Sequence, residues 1–152
     1  PLSTTDYVGS TSTSYSYHGE NGKSITGGTQ TTYGDTWTTD DIIGVYLDLT
    51  ANKLYFSKNG VIQNSGTGIS ITAPASLTNG QYFPATNYWD AGVATYQHNF
   101  GNGYLGTSLI SSPEDDAGGI GAFKYDPSTG TFDSASKDFR AICSKNIKAY
   151  GG

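Results

Sequence analysis

Hydrophobic positions alternate most regularly between Ile42 and Gly60. Ile43, Val45, Leu47 and Leu49 fall on one side of an extended chain. Thr50-Ala51-Asn52-Lys53 interrupts them, and Leu54-Tyr55-Phe56-Ser57 resumes the alternation. The pattern predicts a hairpin with Leu49 opposite Leu54 and Leu47 opposite Phe56, one face apolar on both strands. The other face carries Tyr46, Asp48, Tyr55 and Ser57. A one-residue slip would turn the whole apolar set toward water, so the choice of face is well specified. Asn59-Gly60 supplies the positive φ values that a tight second turn needs.

The rest of the chain is patterned more weakly. Residues 1–41 alternate Tyr with Ser, Thr and Gly, as in Tyr15-Ser16-Tyr17, and predict short strands separated by turns. Two more strands are expected at 81–89 (QYFPATNYW) and 93–101 (VATYQHNFG). Pro84 keeps the first near a sheet edge. In the second, Ala94, Tyr96, His98 and Phe100 form the more apolar, inward set. The stretch 111–119 (SSPEDDAGG) reads as a linker. Beyond it, residues 120–152 hold five of the eight basic side chains. GAFKYD is a candidate strand there. Ala135, Phe139, Ile142 and Cys143 stand at helical spacing after a capping Asp133 or Ser134, which predicts a short C-terminal helix. The expected organisation is a β domain over 1–110, a linker over 111–119 and an extension over 120–152.

Composition narrows what such a chain can do. Hydrophobic residues make up 35% and charged residues 14% of 152 positions. So little charge argues against disorder, and so few apolar residues argue for a thin core. Twelve of the twenty aromatic residues are Tyr, whose rings can pack while their hydroxyls stay wet. A net charge of −5 without a basic patch speaks against nucleic acid and against an anionic membrane surface. No window approaches a membrane span, and there is no charged-then-apolar leader. The chain has no Met, so Pro1 is expected to follow processing or a longer upstream sequence. A single Cys, Cys143, has no internal disulfide partner, and no sequon occurs among the nine Asn residues. A cytoplasm, or a particle assembled in one, is the expected compartment.

The ordered set Asp41, Ile43-Gly44-Val45, Leu47-Asp48-Leu49, Leu54-Tyr55-Phe56 and Asn59-Gly60 resembles the central hairpin of SPRY domains. Tyr82-Phe83-Pro84-Ala85 and Asn99-Phe100-Gly101 continue that family's pattern, and YSYHGENG and TTYGDTW precede it in the right order. The resemblance covers roughly residues 14–105. It implies an all-β, antiparallel, jelly-roll-type sandwich that binds through loops at one end. It also implies several strands before the Tyr-rich segment, for which the chain has almost no room. Open strand edges would follow, closed by an N-terminal segment or by another chain. The stretch FRAICSKNI (139–147) is similar to a segment that follows SPRY-like sandwiches in structural proteins of tailed bacteriophages.

Signals for chemistry are few. GENGKS (19–24) ends like a phosphate-binding loop, but Tyr17 stands where the first Gly is required. Two His and one Cys fall short of a zinc site, and Glu114-Asp115-Asp116 lacks the alternation of a calcium loop. No cofactor and no metal is expected. Acids adjacent in sequence, such as Asp40-Asp41, more often mark a turn than a hydrolytic pair, and no nucleophile elbow occurs. Exposed aromatic residues on loops are the better lead: Tyr15, Tyr17, Trp37, Tyr88 and Trp89, with His18 and Asp90 beside them. Their alternative role is to cover a thin core.

The sequence therefore predicts a noncatalytic module of a phage virion, a decoration, fibre or tail protein. It would be present in many copies and contact other virion subunits or a host surface glycan. Two alternatives stand beside it: an intracellular SPRY adaptor that grips a short peptide of a partner protein, and a carbohydrate-active enzyme.

Overall fold

The structure, a computed structural model, describes residues 7–88 and 93–143. Its regular elements are all β apart from two single 3-10 turns, Asn64–Gly66 and Pro74–Ser76. The strands run antiparallel, in agreement with the sandwich architecture read from the sequence. β1 (Tyr15–Tyr17), β2 (Lys23–Thr26) and β3 (Thr29–Thr32) form the first sheet in sequential order. β4 (Ile43–Asp48), β5 (Lys53–Lys58) and β6 (Val61–Ile62) form the second, and β7 (Ile69–Ser70) also pairs with β5. Two small ribbons follow, β8 (Tyr104–Leu105) with β9 (Ser108–Leu109), and β10 (Glu114–Asp115) with β11 (Ala122–Phe123).

The β4–β5 hairpin forms as the alternation requires, but its register is shifted by two residues. Leu47 faces Leu54, Val45 faces Phe56, and Asp48 faces Lys53. The turn is therefore Leu49–Asn52. Its cause is the Asp48 carboxylate, which accepts the N–H groups of Thr50 (2.9 Å) and Ala51 (2.8 Å), while Asn52 takes φ 53°. A shift of two keeps every side chain on its predicted face. The second turn is the expected one: Asn59 (φ 50°) and Gly60 (φ 84°) join Lys58 to Val61.

The hairpin's apolar face meets the first sheet. Tyr17, Tyr33, Leu54, Phe56 and Ile71 make one buried cluster, with Tyr15, Trp37, Ile43, Leu47 and Tyr82 packed against it. The opposite face, read from sequence as the polar one, is buried as well. Tyr46 and Tyr55 pack on Phe132, flanked by Ile62 and Phe139, and Tyr55 and Phe132 are 0% exposed. The chain after residue 130 supplies this cover.

That cover is not a helix. The helix expected from Asp133 onward does not form among the described residues, and the rest of it lies beyond residue 143. Asp133 (φ 48°) and Ser134 (φ 68°) instead make a left-handed turn that bridges Phe132 to Ala135. The extended chain beyond brings Phe139 to 4.8 Å from the Phe132 ring. The spacing of Ala135, Phe139, Ile142 and Cys143 thus reflects an extended segment that lays Phe139 on Phe132, not a helix.

The expected strands at 81–89 and 93–101 are also absent among the described residues. Strands need a continuous hydrogen-bonding neighbour, and among the described residues only the end of the second segment meets one, where the Gly101 carbonyl accepts the Ala122 N–H of β11. His98, placed inward from sequence, is exposed and stacks on Phe100. Val93 is 95% exposed.

Candidate binding surface

The motif residues of the hairpin resolve into joints. The Asp41 carboxylate accepts the Thr38 N–H (2.9 Å) and the Asn59 side-chain amide (2.7 Å), and Lys58 lies 3.4 Å away. Those donors, the Thr38 N–H foremost, hold the Asp41 carboxyl below its ordinary value. Asn59 Oδ1 in turn accepts the Ile42 N–H at 2.9 Å. Asp41 and Asn59 thus clamp the open end of the hairpin. At Gly44 a Cβ would meet the Tyr46 hydroxyl at 2.8 Å, and the Ser57 hydroxyl lies closer still. Asn99 accepts the N–H groups of Gly101 (2.7 Å) and Asn102 (3.0 Å) and donates to the Ala122 carbonyl. Gly101 has φ 98° and no room for a Cβ beside Ala141.

The other end of the hairpin is where apolar surface stays open. Leu47 and Leu49, the Pro74 turn, Tyr82, Phe83 and Ile142 line a groove of about 600 Å³. That size lies within the range of ligand sites. Its walls are fixed by side chains behind it. The Tyr82 hydroxyl donates to the Thr72 carbonyl (2.6 Å), and the Tyr15 hydroxyl accepts the Thr72 N–H (2.8 Å). The two rings meet edge-on at 6.1 Å. Leu77 N–H returns to the Pro74 carbonyl and Ile71 N–H to the Asn52 carbonyl. Phe83 is 75% exposed at the mouth, and Leu49 and Ile142 are also exposed. Nearby, a polar hollow of about 250 Å³ lies against Thr13 and the 76–81 loop.

The side chains singled out from sequence divide. Tyr17 is buried instead of exposed: its hydroxyl donates to the Asp35 carbonyl and burial pushes its pKa up to about 12, with Asp35 and Asp41 adding to the shift. Trp37 is half-buried and tilted over Tyr17, with Gly19 against its ring. Tyr15 supports the groove from behind. His18 bonds to Asn21 in a turn. Tyr88 is the exposed aromatic of the set. Trp89 and Asp90 lie outside the described residues. The structure brings Tyr15, Tyr17 and Trp37 together as parts of one core cluster, with neither His18 nor Tyr88 in it. The groove residues Leu49, Phe83 and Ile142 were missed. Their signal was an apolar letter at the end of a strand or beyond it, where no pairing partner was available to cover it.

The titratable groups of this region serve structure. Burial opposes charge on Asp48, but Lys137 at 2.7 Å and the Ala51 and Thr50 N–H groups outweigh it and hold the carboxyl low. Asp133 is held low by the Tyr55 hydroxyl (2.7 Å) and the Gly68 N–H. Burial and that same hydrogen bond push the Tyr55 hydroxyl up. Among the described residues no three His, Cys, Asp or Glu side chains converge as a metal site, and no helix is long and apolar enough to cross a membrane.

Comparison with known proteins decides the family. The pattern that defines the SPRY domain matches residues 1–102. The chain belongs to the SPRY domain family. Curated relatives include the Ran-binding proteins 9/10 homolog of Drosophila melanogaster, 45% identical over 49 residues, which is 32% of this chain and 5% of that protein. Ran-binding protein 9 of Xenopus tropicalis is 46% identical over 48 residues, 31% of this chain and 9% of that protein. Ran-binding protein 10 of Danio rerio is 46% identical over the same length and is matched over 8% of its own. The SPRY chain is thus similar to a small part of much longer proteins. These relatives favour the adaptor reading over the virion reading and give the phage context no support.

Proposed function

We propose that the chain is a noncatalytic protein-interaction module of the intracellular adaptor kind, which holds a short apolar segment of a partner protein. The carrying observation is the open groove between Leu47, Leu49, Tyr82, Phe83 and Ile142. Its walls are braced by Tyr15 and Thr72, so it is largely formed before any partner arrives. A groove whose described lining is apolar and carries no charged side chain suits Leu, Ile, Phe or Tyr side chains of a peptide better than a sugar's hydroxyls. Family membership and the Ran-binding relatives support the same reading. Those relatives are named for binding Ran, so Ran is the first partner to assay.

The test is capture from cell extract, beside binding of purified Ran, with native chain and with Leu49→Asp and Phe83→Asp. Both positions are exposed, so the folded state should survive the change. One dominant protein retained by the native chain and lost from both variants supports the proposal. Equal retention by native chain and variants, or capture of no protein, contradicts it.

A second reading, a virion subunit, rests on one observation. Within the phage-like segment read at 139–147, Phe139 is part of the core, where it packs on Tyr46, Tyr55 and Phe132. That reading predicts many symmetric copies and contacts to neighbouring subunits or a surface glycan. A chain that runs as a monomer and captures one soluble partner would count against it.

A further inference from the structure

Four Asn-Gly steps occur in the chain: Asn21-Gly22, Asn59-Gly60, Asn79-Gly80 and Asn102-Gly103. Such steps are chemically labile because glycine has no Cβ to obstruct the approach of its own nitrogen to the preceding side chain. In a flexible peptide the four would react alike. The fold makes them unequal. Asn59 is held by Asp41 and by the Ile42 N–H. Asn21 is held by the Lys23 N–H, by His18 and by Gln30, and the Gly22 N–H is committed to the His18 carbonyl at 3.0 Å. Asn102 accepts the Tyr104 N–H at 3.2 Å, next to a buried Gly103.

Asn79 differs on each count. Among the described residues its side chain makes no hydrogen bond, and both Asn79 and Gly80 are exposed. A Cβ built on Gly80 would meet only the Pro74 carbonyl, at 3.9 Å. The Gly80 N–H reaches the Leu77 carbonyl at 3.2 Å, the long end of the hydrogen-bond range.

We infer that Asn79-Gly80 is the chain's site of spontaneous deamidation, a covalent modification selected by the fold. The Gly80 nitrogen, having lost its proton to base, attacks Asn79 Cγ. The N–Cγ bond forms, the Cγ–Nδ2 bond breaks, and the amide leaves as ammonia after taking a proton from water. Water then opens the resulting succinimide at either carbonyl, leaving aspartate or isoaspartate at that position. No oxidant or reductant is involved. The position gives the reaction a consequence. Asn79 lines the polar hollow and Gly80 the apolar groove, and among the described residues neither lining contains a charged side chain. Deamidation places a carboxylate on the rim between them.

The test incubates the folded 152-residue chain at neutral and at mildly alkaline pH, with site-resolved peptide mapping and a parallel incubation in denaturant. One net hydrogen bond that holds an amide in an unreactive rotamer slows reaction roughly tenfold. The folded chain should therefore gain its mass increment at Asn79 about ten times faster than at each of the other three. The rate should rise with pH, and Asn79→Gln should remove the fast phase. In denaturant the four steps should converge. A folded chain that reacts first at Asn21, Asn59 or Asn102, or that ranks the four as the denatured chain does, overturns the inference. So does a folded chain that shows no modification while the denatured chain reacts.

Discussion

The two faces of the β4–β5 hairpin are sealed by different means. One face closes with rings and aliphatic side chains from the adjacent sheet, Tyr17 and Tyr33 against Phe56 and Leu54. The other closes with a distant segment, Phe132 and Phe139 against Tyr46 and Tyr55, and adds polar fasteners. Tyr55 bonds to Asp133, Lys137 pairs with Asp48 at 2.7 Å, and the Lys137 ammonium stands 5.8 Å from the Tyr55 ring. Tyr makes this possible, because its ring accepts a hydrophobic partner while its hydroxyl keeps a hydrogen bond. A strand that alternates Leu with Tyr can thus be covered on both sides, and β5 is buried from Leu54 through Ser57.

If the second face is core in the same sense as the first, Phe132→Ala should cost about as much as Phe56→Ala, roughly 3–5 kcal/mol each. Urea unfolding of the two variants checks the equality. A much smaller loss for Phe132→Ala would reduce the C-terminal cover to a surface appendage. Next in size is Gly44→Ala. Its new Cβ would press on the Tyr46 and Ser57 hydroxyls, which bond to each other at 3.1 Å on the second face. Overpacking of that kind costs about 1–3 kcal/mol, again read by urea unfolding. Asp133→Ala leaves the buried Tyr55 hydroxyl without its acceptor and should cost about 1–3 kcal/mol. Lys137→Ala removes a partly exposed pair worth about 1 kcal/mol or less.

The two faces differ in pH response at the acid end. Asp48 and Asp133 guard the second face, and both carboxyls are held below their ordinary value. Their contribution is present above the unfolded value of about 4 and is lost as pH falls through the lower folded values. The alkaline limit is shared by both faces, since burial also raises the Tyr46 and Tyr55 hydroxyls of the second. Burial pushes the hydroxyls of Tyr17 and Tyr33 up to about 12. Their contribution is present below the unfolded value of about 10 and is lost as pH rises toward 12. Thermal melts should therefore show an acid limb that Asp133→Asn weakens, and an alkaline limb that it also alters, because the Asp133 carboxylate helps to raise the Tyr55 and Tyr33 hydroxyls.

The first face was legible in the sequence and the second was not, for a physical reason. Alternation at Ile43, Leu47, Leu54 and Phe56 follows from a period of two and the Asn59-Gly60 turn from its own residues, so both are local; Val45, read onto the same face, is instead 60% exposed. The hairpin's register moved by two because Asp48 organises the turn with a side chain, which periodicity cannot weigh. Burial of Tyr46 and Tyr55 depends on Phe132, more than seventy positions away, and nothing in the local pattern announces it. The same blindness made Phe139 and Ile142 look helical. For the binding surface, the family motifs Tyr82-Phe83-Pro84 and Asn99-Phe100-Gly101 were visible as letters. Their roles were not: Tyr82 and Phe83 form a groove wall, and Asn99 is a bracket onto β11. Loop aromatics such as Tyr17 and Trp37 were read as exposed because single-sequence patterns carry no information on which rings a second sheet will cover.

The central claim is that the hairpin and its C-terminal cover are one cooperative unit. Native-state amide hydrogen exchange tests it most directly at two positions, Phe56, whose N–H is bonded to the Tyr33 hydroxyl, and Phe132, whose N–H is bonded to the Ala135 carbonyl. The account predicts that both amides exchange with the same opening free energy, equal to that of global unfolding, and that Phe132→Ala lowers protection at Phe56 as well. Exchange at Phe132 through a separate, lower-energy opening that leaves Phe56 fully protected would contradict it.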